Sequence, residues 1–433
     1  MAVRVTPLVV VVVALLALAP ASARAADPAP ATQPATRPAV PAVLFSTNFE
    51  GGSLAKVEVV DPDTFRCWVL GQHDARGHNR QTSWFYFRMD GVAGRRLTVT
   101  MTDLVGEYND KPGAVPYGPD IVPVFSADGG RTWTHFAAED AAWDDARKEL
   151  TLKLAPSADT VYVAHIPPYV TADLDRLLAD VRRSPHARVE AIGKTLGGRD
   201  LSMVTVTDVA TPDAGKHAVW LQARQHAWEA GTSWAMDGAL RWAVSDDPAA
   251  AELRKTTVFR FTPMVDLDGV AGGKVRFNGN GFDVNRHWPS VDLRDPEKLR
   301  LMPEIWYTKR AIVTRSPGEP PTALLVNLHN TETGEYLQTE ADDDPTFERF
   351  RVLEDRLIKR GIYEPSRKVE KPKPKAIVKP PADTTTSLWA THQVPAALME
   401  LRVGTMKPLG RRRTVEDWTA FGRALIEEMA RAR

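Results

Sequence analysis

The stretch "VWLQARQHAWEAGTSW", residues 219–234, decides how the chain is read. It begins as an apolar run of strand type and meets His226 and Glu229 where that run stops. It then passes into "SWAMDGALRWAVSD", whose apolar residues Trp234, Met236, Ala239, Leu240, Ala243 and Val244 recur at helical spacing. Two polar residues three apart at such a junction fit a fragment of a metal site. They fit an ordinary strand-to-helix turn equally well, so the surrounding chain has to decide.

From about residue 170 onward, strand-like and helical segments alternate. "LSMVTVTD", "HAVWLQAR", "TTVFRFTPMV" and "PTALLVNLH" read as strands, whereas "TADLDRLLADVRR", "TFERFRVLEDRLIKR" and "VEDWTAFGRALIEEMARAR" are amphipathic helices. Continuous apolar strands between helices predict an α/β fold with a mixed, mainly parallel sheet flanked by helices. In such folds, sites gather beyond the carboxyl ends of strands.

Residues 44–165 differ in texture. "AKVEVV", "TSWFYFRM", "RRLTVTMTD", "DIVPVFS" and "DTVYVAHI" are short β-branched or aromatic runs divided by turn signals such as "DGVAG" and "SADGGRTW", a pattern that predicts an antiparallel β-sandwich. His73 and His78 flank a loop in this part and read as surface or hydrogen-bonding residues. The organisation expected is a signal peptide over 1–25, a Pro/Ala-rich linker over 26–43, a β-sandwich domain over 44–168 and a catalytic domain over 169–433.

The leader expectation rests on Arg4, the apolar run Leu8–Ala19 and small residues at Ala23 and Ala25. It places cleavage after Ala25, leaves no stable membrane span, and makes the protein exported, to the periplasm or the extracellular space. The 55 basic and 55 acidic side chains balance, so global charge favours neither nucleic acid nor an anionic membrane. Cys67 is the single cysteine, which excludes an internal disulfide and a cysteine-rich zinc cluster. Any metal must therefore be held by His, Asp and Glu.

Three strand-like runs end in groups of that kind. "VWLQARQH" ends at His226 with Glu229 beyond it, "TALLVNLH" ends at His329, and "VPAALME" ends at Glu400. Two histidines and one glutamate make a catalytic zinc set with a fourth position open, and a further carboxylate nearby suits proton transfer. No HExxH occurs, which excludes the zincin arrangement. Between these exits, "KVRFNGNGFDVNRHW" (274–288) gathers Arg276, Asn285 and Arg286, side chains suited to gripping a carboxylate.

At this point the chain resembles the M14 zinc carboxypeptidases, and most closely the cytosolic carboxypeptidase-like subgroup with its extra N-terminal β-domain. The resemblance runs through "NFEGGSL", "SWFYFRM", "VPVFSADGGRTW", "IPPYVTADLDRLL", "KTLGGRDLSMVTVTD", "QARQHAWEAGTSWAMDGAL", "FTPMVDLDGV", "VRFNGNGFDVNRHW", "NLH" and "LMELRVGT", in that order. It implies one Zn2+ per chain held by His226, Glu229 and His329, with Glu400 as general base and Arg276 holding the oxyanion. Asn285 and Arg286 would grip the substrate's terminal carboxylate. The substrate implied is a peptide or N-acyl amino acid with a free C-terminal carboxylate.

Two features depart from the family pattern. Asn327 stands where relatives commonly carry an aspartate, and no tyrosine follows Tyr363 before Glu400. Lys407, Arg411, Arg412 and Arg413 would line a pocket for acidic side chains, or form a solvated basic loop. Two other readings compete with the carboxypeptidase: a zinc amidohydrolase or deacylase acting on N-acyl amino acids or cell-wall peptides, and a catalytically decayed binding protein working through its β-domain.

Overall fold

The strand His217–Gln222 lies inside a seven-stranded sheet, between Thr257–Thr262 and Thr322–Thr331, and runs parallel to both. Ala396–Arg402 continues the parallel set beside Thr322–Thr331. Antiparallel pairings complete the edges, through Asp200–Val206 and Ala187–Lys194 on one side and Tyr336–Thr339 on the other. Every residue of Thr257–Thr262 is buried, as expected of a strand covered on both faces. The computed structural model describes residues 42–314, 316–332, 334–372 and 382–432. The expected signal peptide, the linker up to residue 41 and the end of the Pro-rich basic stretch 366–381 lie outside them.

Sheet register does what the sequence could not specify. It sets Asn327 beside Gln222 and Glu400 beside His329, so the polar ends of three strands meet at one edge of the sheet. Immediately beyond the first of these ends, the helix Ala230–Ala243 starts, and it is buried nearly all round. The C-terminal helix Val415–Arg431 covers it, opening on a reciprocal cap in which Thr414 and Asp417 each accept the other's backbone N–H.

Two glycines let these helices touch backbone to backbone. A Cβ on Gly238 would lie 2.0 Å from the Thr419 carbonyl oxygen, and one on Gly422 would lie 1.7 Å from the Ala235 carbonyl oxygen. Gly422→Ala must therefore push the helices apart, which should cost about 3 kcal/mol of stability. Denaturant unfolding at fixed zinc concentration measures this. An unchanged midpoint would show that the helices slide freely.

The β-rich part is a sandwich of two five-stranded sheets with a small third sheet. Its pairings are antiparallel except that Thr64–Trp68 runs parallel to Leu97–Thr102. Phe65, Cys67, Phe85, Phe87, Val99 and Leu152 fill the space between the sheets. Burial pushes the Cys67 thiol up to about 12, so it stays un-ionised and inert.

Trp84, Tyr86, Ile121, Val124 and Ile166 belong instead to the same apolar cluster as Leu177, Val204 and Trp228 of the α/β part. The two parts thus share a core, and the described residues from Ala42 onward form one compact unit. No helix among the described residues is long and apolar enough to cross a membrane.

Candidate metal centre

The site begins with a turn. Just after His217–Gln222, Arg224 takes the left-handed backbone conformation (φ 59°), which bends the chain sharply. Its buried guanidinium donates to the Ala227 carbonyl at 2.9 and 2.7 Å, to the Tyr169 carbonyl at 3.1 Å and to Ser233 Oγ at 3.0 Å. Burial brings its pKa down to about 10, so it remains charged at neutral pH. These bonds tie the loop to the first turn of the next helix and aim His226 and Glu229 at the same point.

His329 arrives there from the neighbouring strand. Glu229 lies between the two rings, with Oε1 2.7 Å from His226 Nδ1 and Oε2 3.0 Å from His329 Nδ1. The three offered ligand atoms fall within 4.8 Å of one another, and all three residues are buried. Burial alone would raise the Glu229 pKa, but His226 and His329 outweigh it and hold the carboxyl low. Two imidazoles and an ionised carboxylate converging on one point fit a single divalent cation, and this donor set is the kind zinc takes.

Several partners orient the ligands. His226 Nε2 lies 3.2 Å from Asp283 Oδ1, and Asp283 Oδ2 accepts from Arg276 Nε at 2.7 Å. Burial would raise the Asp283 carboxyl, yet Arg276 and His226 keep it well below the usual range. A carboxylate behind a ligand imidazole fixes its tautomer and orientation. At His329, Nε2 lies 2.9 Å from the Asn327 amide, which also bonds to Gln225 and Gln222. The amide atom nearest the ring is Nδ2, which also donates to Gln225 Oε1, while Oδ1 accepts from Gln222 Nε2. Presenting Oδ1 to a protonated His329 Nε2 would turn both glutamine amides as well. Asn327 can thus orient His329 but adds no charge.

Glu400 stands beside His329 in register, and its Oε2 is buried with no hydrogen-bond partner. Burial first, and then the Glu229 carboxylate, push its pKa well above the ordinary value. Arg276 Nη1 reaches to 3.5 Å from His226 Nδ1. Asn285 is buried, its Oδ1 held by the Thr384 N–H and Oγ1 at 3.1 and 2.8 Å, while Arg286 is exposed and donates to the Asn285 carbonyl. Arg276 and Glu400 therefore stand beside the cluster of His226, Glu229 and His329. The Arg286 charge acts on Glu400, and Asn285 joins this group through its N–H to Asp283 Oδ1 at 2.8 Å.

Sequence reasoning missed Asp283, Glu332 and Tyr336. Glu332 accepts from Ser83 of the β-sandwich at 3.2 Å, and burial pushes it up to about 7. Tyr336 pairs with Glu400 across the edge of the sheet. The basic run divides in two. Arg413 is buried against Glu335 at 2.6 Å, Arg412 binds the Asp120 carbonyl at 2.6 Å, Arg411 pairs with Asp417, and Lys407 with Glu364. Arg412 and Arg413 thus brace the fold, whereas Arg411 and Lys407 form exposed ion pairs, as the solvated-loop alternative expects.

Residues 174–322 match the zinc carboxypeptidase family, and residues 45–166 match the cytosolic carboxypeptidase N-terminal domain, so the two matches take in more than half of the chain. Cytosolic carboxypeptidase 2 of Mus musculus is 30% identical over 292 residues, covering 62% of this chain and 32% of the relative. The Homo sapiens protein of that name is 30% identical over 309 residues, 66% of this chain and 32% of the relative. The chain thus spans about a third of the length of these curated relatives.

Among solved structures, a metallo-carboxypeptidase from Burkholderia cenocepacia superposes with a TM-score of 0.75 at 21% identity, covering 90% of this chain and 98% of the other. A carboxypeptidase from Pseudomonas aeruginosa gives 0.73 at 19%, covering 89% and 98%. At these identities the likeness is one of fold. The expectation of export is corrected by the curated relatives, which are named cytosolic carboxypeptidases and point to an intracellular location.

Proposed function

We propose that the chain removes C-terminal residues from peptides, because residues 174–322 match the zinc carboxypeptidase family and residues 45–166 match the cytosolic carboxypeptidase N-terminal domain. The observation that carries this reading is the convergence of His226, Glu229 and His329, with Glu400 in register beside the last of them. One zinc per chain would be held by those three side chains. When bound, it supplies Lewis acidity, polarising a carbonyl and lowering the pKa of water.

The chain's own residues supply the rest. Glu400 takes a proton from the attacking water and returns it to the leaving amine, a task suited to a carboxyl whose proton affinity burial has raised. Arg276 faces the carbonyl oxygen of the scissile bond and stabilises the negative charge that develops there, its guanidinium kept in place by Asp283. Asn285 and Arg286 grip the free carboxylate of the last residue, which makes the reaction an exopeptidase cleavage. The division into a β-sandwich domain over 44–168 and a catalytic domain over 169–433 belongs to the same proposal.

A zinc-supplemented screen of peptides varied only at the last residue, read by mass spectrometry, tests the reading. Products one residue shorter support it. Release of acyl groups from N-acyl amino acids, with peptides untouched, would replace it by a deacylase. Arg286→Ala should raise KM for free-carboxylate peptides about tenfold to a hundredfold, the worth of one charge-assisted hydrogen bond, and leave kcat nearly unchanged. C-terminally amidated peptides should be poor substrates for both proteins.

A further inference from the structure

The β-sandwich reaches into the catalytic part through one side chain. Gln72 Oε1 accepts three consecutive backbone N–H groups, those of Val275 at 2.9 Å, Arg276 at 2.7 Å and Phe277 at 2.9 Å. Its Nε2 donates to the Phe277 carbonyl at 2.5 Å. Both ends of one carboxamide are thus used on the three residues centred on Arg276. Successive N–H groups aimed at one point form a concavity that a negatively polarised atom fills.

The same strip of chain is held from its other side by the ligand loop. The Trp228 N–H donates to the Val275 carbonyl at 3.1 Å, between His226 and Glu229 in sequence. Further along, the Ala75 N–H donates to the Gly281 carbonyl at 2.9 Å. Gly281 has φ 79°, and a Cβ there would lie 2.4 Å from the Ala75 nitrogen, so the two loops meet at backbone contact. Phe277 and Asp283 bridge in antiparallel fashion, closing a small hairpin that presents Arg276 and Asp283 to the site from its two arms.

We infer that Gln72 is a positioning residue for Arg276, so that the N-terminal β-sandwich sets the placement of the guanidinium facing the scissile carbonyl. A long arginine side chain delivers charge accurately only if its own backbone is fixed, and side-chain packing alone leaves several rotamers open. Here the backbone is fixed on one side by the metal-ligand loop and on the other by a domain that contributes none of the residues assigned to the chemistry. The catalytic consequence rests on the carboxypeptidase reading, whereas the clasp itself does not.

The test uses the full zinc-loaded chain and three variants: Gln72→Ala, Arg276→Ala and the double substitution. Gln72→Ala should keep its zinc and its KM but lose kcat by about tenfold to a hundredfold, part of what removing an oxyanion donor costs. In the Arg276→Ala background, the Gln72 substitution should have no further effect, because the group it positions is gone. Equal losses in both backgrounds, a loss expressed in KM, or no loss at all would overturn the inference.

Amide hydrogen exchange is the second measurement and needs no substrate. The N–H groups of Val275, Arg276 and Phe277 should exchange faster in Gln72→Ala, with the strand Thr322–Thr331 unaffected. Unchanged exchange at those three would overturn the clasp. General acceleration across the sheet would show a structural role only, and would overturn the inference as well. If the parent chain turns over no peptide, the carboxypeptidase reading fails, and the exchange result alone decides whether Gln72 holds this loop.

Discussion

Replacing His226 with alanine should remove the metal and the turnover together. The three ligand atoms lie within 4.8 Å of one another, and each side chain is buried, so deleting one leaves two protein ligands. Two remaining ligands at a catalytic zinc site leave the ion mostly hydrated and weakly held. The protein should also lose stability, because His226 has two further tasks. It offsets the buried Glu229 carboxylate, and it receives the Asp283 carboxylate on its other nitrogen. Deleting one partner of a buried charged pair costs on the order of 3–5 kcal/mol. The loss here should lie at the low end, because His329 still faces Glu229 and Arg276 still binds Asp283.

Elemental analysis after dialysis should give about one zinc for the parent chain and almost none for the variant. Added zinc should raise the parent's Tm through ligand linkage and leave that of the variant unmoved. A variant that kept one tightly bound zinc and full peptidase activity would place the metal elsewhere. Chelation of the parent protein should reproduce the loss of activity, and zinc should restore it.

The difference between the strand-end residues and their neighbours explains how much could be read beforehand. His226, His329 and Glu400 each stand at the end of an apolar strand-like run, where a polar residue is conspicuous and where α/β sheets place their sites. Asp283 was not conspicuous. It sits among asparagines and glycines in a loop, and its partners, Arg276 and His226, lie 7 and 57 residues away. Nothing in the local pattern separates it from other loop acids until the hairpin folds back.

The basic run at 411–413 stayed ambiguous for a related reason. A cluster of arginines looks the same whether it faces a substrate or a buried glutamate, and only the tertiary partner, Glu335 for Arg413, decides. Strand signals at the N-terminal end gave the sandwich, because alternation and turns are local. They could not reveal that Trp84 and Ile166 face a core shared with the α/β part, or that Gln72 would reach residue 276. Register is likewise invisible in sequence, yet it is what puts Glu400 beside His329.

That register makes Glu400→Gln the sharpest test of mechanism. Glutamine keeps the size of the side chain and one acceptor oxygen but cannot take a proton. If Glu400 is the base, kcat should fall by roughly a thousandfold or more, the upper range for losing a positioned general base, while zinc content and KM stay close to the parent's. The parent's kcat/KM should fall on the acid side as Glu400 takes up a proton. Burial and Glu229 push that limb upward, and Arg276 and Arg286 pull it back. In the variant this limb should be gone, leaving a low and flat residual rate.

Stability should move the other way. The parent holds a buried carboxylate with an unpartnered oxygen beside a second carboxylate, an arrangement that serves catalysis at the expense of folding. Removing that charge should leave the metal-free variant at least as stable as the metal-free parent. Lost activity with unchanged or higher Tm would identify Glu400 as the base. Lost activity with a clear drop in Tm would make it a structural residue, and undiminished activity would transfer proton transfer to another group in the cleft, of which Glu332 is the nearest in kind.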